Sequence, residues 1–253
     1  MPKSILCLSI SIIICLSLFS CDLQNNTLDS DVAVISTNDD NTENIKASSI
    51  SIDDIIFLGE STTYHMKSRG VLSGGKETTQ VWAPKSGTLM LDPSTSECRI
   101  IYPETKEEIS LEEAIKAKKP KVLLFTFGLN GATSFIKRGE GYFKLCYQKL
   151  LDTVKKSSPT TEIIINSCFP IAKNMDMSRY TVDAKALNHY IDNINAWACR
   201  LAKENQVRYI DTASVIKDND GFLASDLQAE DGYHLNEKAY KLILKYLNTE
   251  LQK

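Results

Sequence analysis

Short apolar runs alternate with long amphipathic stretches through most of this chain. Residues 55–59 (IIFLG), 121–128 (KVLLFTFG), 162–167 (EIIINS) and 207–212 (VRYIDT) are almost continuously apolar, the pattern of strands covered on both faces. Between them, residues 140–157 and 183–205 carry apolar side chains at helical spacing, as at Leu187, Ile191, Ile194 and Ala198. Residues 235–253 repeat that period at Tyr240, Ile243, Leu244, Leu247 and Leu251 and predict a closing amphipathic helix. Strands alternating with helices predict an α/β domain around a parallel sheet with right-handed crossovers. Residues 67–102 break the pattern with glycines, a proline and short apolar pieces. They predict a loop, a second strand within 79–83, and a small hairpin through TLML (88–91) and CRIIY (98–102).

The beginning of the chain is of another kind. Met1 to Cys21 has one lysine, an apolar run from Ile5 to Phe19 and then Ser20-Cys21, the layout of an export leader that takes no part in the fold. Leu18-Phe19-Ser20-Cys21 resembles a bacterial lipobox, which implies that Cys21 becomes the lipidated first residue of an exported, membrane-anchored protein. A plain signal or a membrane anchor are the alternatives, although the run is short for a span. Residues 22–51 are rich in Asn, Asp, Ser and Thr and cannot bury enough apolar surface to offset their ordering entropy. They read as a tether with a reach on the order of 30 Å. The expected organisation is therefore leader 1–21, tether 22–51 and one domain over 52–253.

Charge and composition remove several classes of function. A formal net charge of -3 gives no basic face for nucleic acid. Beyond the leader and Cys21, Cys98, Cys146, Cys168 and Cys199 could pair in an exported chain, but they lie in strand-like or amphipathic stretches, where free cysteine is commonly a small buried apolar residue, so no disulfide is expected; their spacing fits no zinc site. No phosphate-cradling glycine loop and no histidine or acidic cluster points to a cofactor or a metal.

The polar signals that remain fall at strand ends, where ligands bind in a doubly wound sheet. After the first strand comes Gly59-Glu60-Ser61-Thr62-Thr63, either a helix N-cap or a serine presented for chemistry. After the run 121–128 comes Leu129-Asn130-Gly131, and before the last helix comes Asp231-Gly232-Tyr233-His234. Of the three histidines, His189 falls within an amphipathic helix and His65 lies one helical turn beyond Ser61. His234 alone follows a carboxylate by three residues, a spacing that lets a tight turn hold one ring nitrogen and leave the other for a hydroxyl. Taken alone, the same stretch reads equally well as a turn into the last helix.

Taken together, Gly59-Glu60-Ser61, Gly128-x-Asn130 and Asp231-x-x-His234 resemble the blocks of the SGNH (GDSL-like) hydrolase superfamily, over about residues 52–251. The resemblance implies a flavodoxin-like three-layer α/β/α sandwich. It implies Ser61 as nucleophile, His234 as general base and then acid, and Asp231 as the group that orients the imidazole. The oxyanion would be met by the Asn130 side chain and the backbone N–H groups of Ser61 and Gly87, with Gly74 and Gly75 as alternatives to Gly87. Two positions depart from the family pattern: Glu60 stands for its usual aspartate, and Gly131 for an aspartate after the asparagine. Tyr64 and Trp82 are candidates to stack on a sugar beside the site, although Trp82 reads more simply as strand packing. The implied activity is that of a surface-tethered serine esterase acting on short acyl, above all O-acetyl, esters of small molecules or polysaccharide. An O-acyltransferase and a non-catalytic glycan- or protein-binding lipoprotein are the alternatives on the same fold.

Overall fold

The computed structural model describes residues 50–253; the leader, Cys21 and nearly all of the tether lie outside them. In chain order the elements are β1 (Ile55–Gly59), α1 (Ser61–Ser68), β2 (Val81–Trp82), β3 (Arg99–Ile101), β4 (Glu108–Ser110), α2 (Leu111–Lys118) and β5 (Val122–Thr126). There follow α3 (Ala132–Arg138), α4 (Glu140–Ser157), β6 (Glu162–Asn166), α5 (Ala184–Glu204), β7 (Arg208–Ile210) and α6 (Glu237–Leu251).

Five strands form a wholly parallel sheet in the order β2-β1-β5-β6-β7. Counted among the sheet strands alone, this is the flavodoxin-like order 2-1-3-4-5, whose direction reverses between β1 and β5. The strands are apolar on both faces because both faces are covered. Ile56, Leu58, Leu123, Phe125, Ile163 and Ile165 pack with α2, α4 and α5 on one side. Ile55, Phe57, Val122, Leu124 and Ile164 alternate with them and meet Met66 of α1 and Tyr240, Ile243 and Leu247 of α6 on the other. The result is the expected α/β/α sandwich.

The long helices follow from their periodicity. In α4, Phe143, Cys146, Tyr147, Leu150, Leu151 and Val154 are buried along one stripe. The buried face of α5 also contains Asn188 and Asn195, seven residues apart. Asn195 accepts the Cys168 N–H (2.8 Å) and donates to the Cys168 carbonyl (3.0 Å), and Asn188 does the same for Ile171 (2.9 and 3.0 Å). The segment leaving β6 has no ladder of its own, so these amides satisfy its buried backbone groups.

Three details differ from the sequence reading. The hairpin pairs β3 with β4, so TLML contributes no strand; Leu89 and Leu91 are apolar because they cover the core from a loop. The short helices α2 and α3 lack the long apolar period that marks α4 to α6. A capping box between Ser110 and Glu113 starts α2 all the same. Finally, of the two readings of Trp82 the candidate sugar contact fails and the strand packing holds: it is fully buried, packs edge-on against Tyr102 at 6.2 Å and is not available to stack on a sugar.

Where β1 turns into α1 the chain is unusually close to its neighbours. A Cβ on Gly59 would stand 2.3 Å from Thr63 Oγ1 and 2.4 Å from the Thr126 carbonyl oxygen. Only glycine lets β1 end here with its ladder to β5 intact. Gly59→Ala is expected to cost about 3 kcal/mol or more by overpacking. Urea denaturation measures this directly, and an unchanged midpoint would show that Thr63 and the β5 backbone yield.

Candidate active site

Ser61, Asn130 and His234 come from three parts of the chain and meet at the carboxyl edge of the sheet, beside the point where strand order reverses. Ser61 is the first residue of α1, and its N–H belongs to the helix's unpaired first turn. Its Oγ lies 3.0 Å from His234 Nε2. The other ring nitrogen of His234, Nδ1, is 2.5 Å from Asp231 Oδ2. Hydroxyl, imidazole and carboxylate thus form one hydrogen-bonded line, which lets the ring take up a hydroxyl proton while the carboxylate stabilises the resulting imidazolium.

The Asp231 turn is built for this contact. Asp231 Oδ1 accepts the N–H groups of Tyr233 and His234, both at 2.9 Å, leaving Oδ2 for the ring. Burial raises the Asp231 pKa, but those backbone donors and the ring outweigh it and hold the carboxyl below its usual range. Gly232 makes the turn possible: its φ is +65°, and a Cβ there would stand 3.0 Å from Met175 Cα. Asn236 then caps α6 by accepting the Ala239 N–H at 3.1 Å. From that helix the buried Tyr240 hydroxyl donates to the Thr62 carbonyl (2.6 Å), so the histidine side of the site is tied directly to the serine turn.

Glu60, the departure from the family aspartate, is almost completely buried. Its Oε1 accepts the N–H groups of Gly128 (3.0 Å) and Asn130 (3.1 Å), and Oε2 also lies 3.1 Å from the Asn130 nitrogen. The longer side chain therefore reaches across to the loop after β5 and holds it against the serine turn. Burial, only partly offset by these donors, pushes its carboxyl up to about 7.

The Asn130 side chain is held as well. Its Oδ1 accepts the Tyr233 hydroxyl at 2.7 Å, while Nδ2 makes longer contacts to Thr88 Oγ1 (3.2 Å) and the Leu89 carbonyl (3.4 Å). Tyr233 was not legible as a site residue, since nothing in the sequence links it to a position 103 residues away. Gly131, the second departure, leaves room for Phe135, whose ring would lie 2.6 Å from a Cβ at that position.

The glycine expected to complete the oxyanion site is placed differently. The Gly87 N–H donates to the Pro84 carbonyl at 2.9 Å and closes a turn, so this donor is already committed. Gly74 and Gly75 lead into the start of β2, where Ser73 bonds Asp53 just ahead of β1 (2.6 Å). They lie at the opposite, amino edge of the sheet. Thr88, whose hydroxyl contacts Asn130, is the residue of this loop that reaches the site.

Among the remaining candidates, Tyr64 is exposed one turn after Ser61, with its ring against Gly87. His189 is exposed on α5, remote in role from the site. His65 lies against His234, with ring centroids 4.3 Å apart. Burial and then the neighbouring His234 lower its pKa to about 4, so at neutral pH it is an uncharged wall that opposes no imidazolium beside it.

The raised Glu60 pKa has a definite consequence for stability. The folded state holds this proton more tightly than the unfolded chain, so its stabilising contribution is complete below pH 4.5 and is lost as pH rises through about 7. Relative to Glu60→Gln, the parent is expected to lose about 3 kcal/mol across that window. Parallel urea titrations of the two proteins would detect this, and parallel pH profiles would refute it.

The GDSL-like Lipase/Acylhydrolase family model matches residues 57–242. No curated protein sequence matches significantly. Among solved structures, an aryl esterase from M. smegmatis superposes with a TM-score of 0.50 at 15% identity, covering 78% of this chain and 97% of its own. A catalytic variant of an acetylxylan esterase from Geobacillus stearothermophilus gives a TM-score of 0.50 at 15% identity, covering 81% and 97%. A candidate platelet activating factor from Streptococcus pneumonia gives 0.51 at 16% identity, covering 81% and 86%. At these identities the structures share the fold, while the family match spans most of the domain, including the serine, asparagine and histidine blocks. The chain belongs to the GDSL-like lipase/acylhydrolase family and is a carboxylic ester hydrolase.

Proposed function

We propose that the chain is a serine esterase that removes short acyl groups, in the first place O-acetyl, from carbohydrate, with Ser61, His234 and Asp231 as its triad. The observation that carries this reading is the unbroken line from Ser61 Oγ through the His234 ring to Asp231. The choice of acetylated carbohydrate is supported by the acetylxylan esterase among the structures of the same fold. The leader ending at Cys21 supports export and attachment to a bacterial membrane by a lipid on that cysteine, with the domain outside the cytoplasm.

In this mechanism Ser61 Oγ attacks the ester carbonyl carbon as its proton passes to His234 Nε2. The negative charge that develops on the carbonyl oxygen is met by the Ser61 N–H at the start of α1 and by Asn130 Nδ2, which turns from its long contacts to Thr88 and Leu89. Collapse expels the alcohol, which receives the proton from His234. Water then repeats the sequence on the acyl-serine and releases the acid. Tyr233 holds the Asn130 oxygen, which leaves the amide nitrogen as the group that turns to the oxyanion. It acts on the oxyanion only through Asn130 and is a positioning residue.

Fluorophosphonate labelling tests the core of the proposal: the parent should label, and Ser61→Ala and His234→Ala should not. Failure of the folded parent to label would favour a binding protein on this fold. With p-nitrophenyl acetate, Asn130→Ala is expected to lower kcat by about 10²–10³. Tyr233→Phe should lower kcat about tenfold with KM little changed, and should add almost nothing in the Asn130→Ala background, because the two act as one unit. Additive losses would sink the positioning role.

A further inference from the structure

Next to the serine helix is a cavity of about 200 Å³ bounded by α1, the end of β2 and the β3–β4 turn. Its floor is apolar, with Val81, Ala83 and Ile101, and Tyr64 and three lysines, Lys67, Lys85 and Lys106, stand around it. Each lysine comes from a different element. None of the three pairs with a carboxylate among the described residues, whereas Lys118, on the helix that follows the β3–β4 hairpin, pairs with Glu104 at 2.7 Å.

The Lys118 pair is informative. Glu104 shares the β3–β4 turn with Lys106 and is the natural counter-ion for it, yet it is drawn away to α2. Lys106 itself has a φ of +64°, a left-handed conformation that favours glycine or asparagine and costs a lysine. Three like charges around one small cavity repel each other, and its low-dielectric walls focus their field. A chain with a net charge of -3 has no general excess of cations that would account for such a group.

Tyr64 links the cavity to the serine helix. It lies one helical turn from Ser61 and rests on Gly87, where a Cβ would be 3.0 Å from its ring. We infer that this cavity is a subsite for an anionic group, carboxylate or phosphate, borne on the sugar part of the ester substrate. A volume equal to that of roughly seven waters admits one such group. Binding there uses a part of the substrate remote from the bond being cleaved to hold the ester over Ser61. The inference rests on the serine esterase reading for the placement of the ester, and on the lysines alone for the binding of the anion.

The test separates the two. Methyl glucuronoside and glucose 6-phosphate are titrated by calorimetry against the parent and against the triple variant Lys67→Gln/Lys85→Gln/Lys106→Gln, with methyl glucoside as the neutral probe. The parent should bind an anionic sugar up to about fivefold more tightly than the neutral one, as expected for exposed ion pairs. That preference should vanish in the triple variant and near 1 M salt, where the Debye length is about 3 Å. A control double variant, Lys203→Gln/Lys245→Gln, should retain it. Which anionic sugar binds better identifies the carboxylate or the phosphate as the recognised group. With O-acetylated forms of the same sugars, the triple variant should lose the preference in kcat/KM yet hydrolyse p-nitrophenyl acetate as the parent does. Equal binding of neutral and anionic sugars by the parent, or a preference that survives in the triple variant, overturns the inference. Absence of turnover with intact anion binding would count against the esterase reading alone.

Discussion

A carboxylate buried between two loops holds this site together. Glu60 leaves the end of β1 and takes the backbone N–H groups of Gly128 and Asn130 at the end of β5, across the point where strand order reverses. The two neighbouring strands supply the serine and the asparagine, and Glu60 extends the tie between them beyond the end of the β1–β5 ladder. The arrangement costs desolvation, visible in the raised Glu60 pKa, and is offset by donors that would otherwise be unpaired in the interior. A buried polar contact of this kind fixes one geometry where an apolar one would tolerate several.

The histidine arrives by an independent route and is locked in the same way. The Asp231 turn presents its second oxygen to the ring because its first is occupied by two backbone donors, and Gly232 supplies the positive φ the turn needs. Tyr240 then joins α6 to the carbonyl of Thr62. Tyr233 crosses from this turn to Asn130. Serine, asparagine and histidine are therefore braced against each other pairwise, through Glu60, Tyr240 and Tyr233, and each brace is a hydrogen bond to backbone or amide. The backbone of such a site is fixed before any ligand enters, and the Asn130 amide nitrogen is the donor that must turn from Thr88 and Leu89 to meet a developing charge.

The environment divides by charge. His65, uncharged beside His234, makes the histidine side compatible with a transient imidazolium. Beyond Tyr64 the surface turns basic around Lys67, Lys85 and Lys106, in a chain that is acidic as a whole. The proposed chemistry thus depends on a few short hydrogen bonds between loops, and the recognition proposed beside it on exposed charge.

The layers of the sandwich follow from local pattern. Strands covered on both faces must be apolar throughout, and helices on a sheet must carry an apolar stripe, so β1, β5, β6, α4, α5 and α6 were legible from local pattern. The polar blocks were legible because each follows such a strand or precedes such a helix. Short elements carry too few residues for a period to show, so α2, α3 and the true hairpin partners became clear only in three dimensions. The same holds for Leu89 and Leu91, apolar without being strand, and for Trp82, whose burial depends on what folds over it. Which donor is free and which is occupied was beyond the sequence altogether. The Gly87 N–H is taken by Pro84, the Asn130 oxygen by Tyr233, and the Glu60 carboxylate by a loop about seventy residues away. Those outcomes are set by distances between segments remote in the chain, and only the tertiary structure contains them.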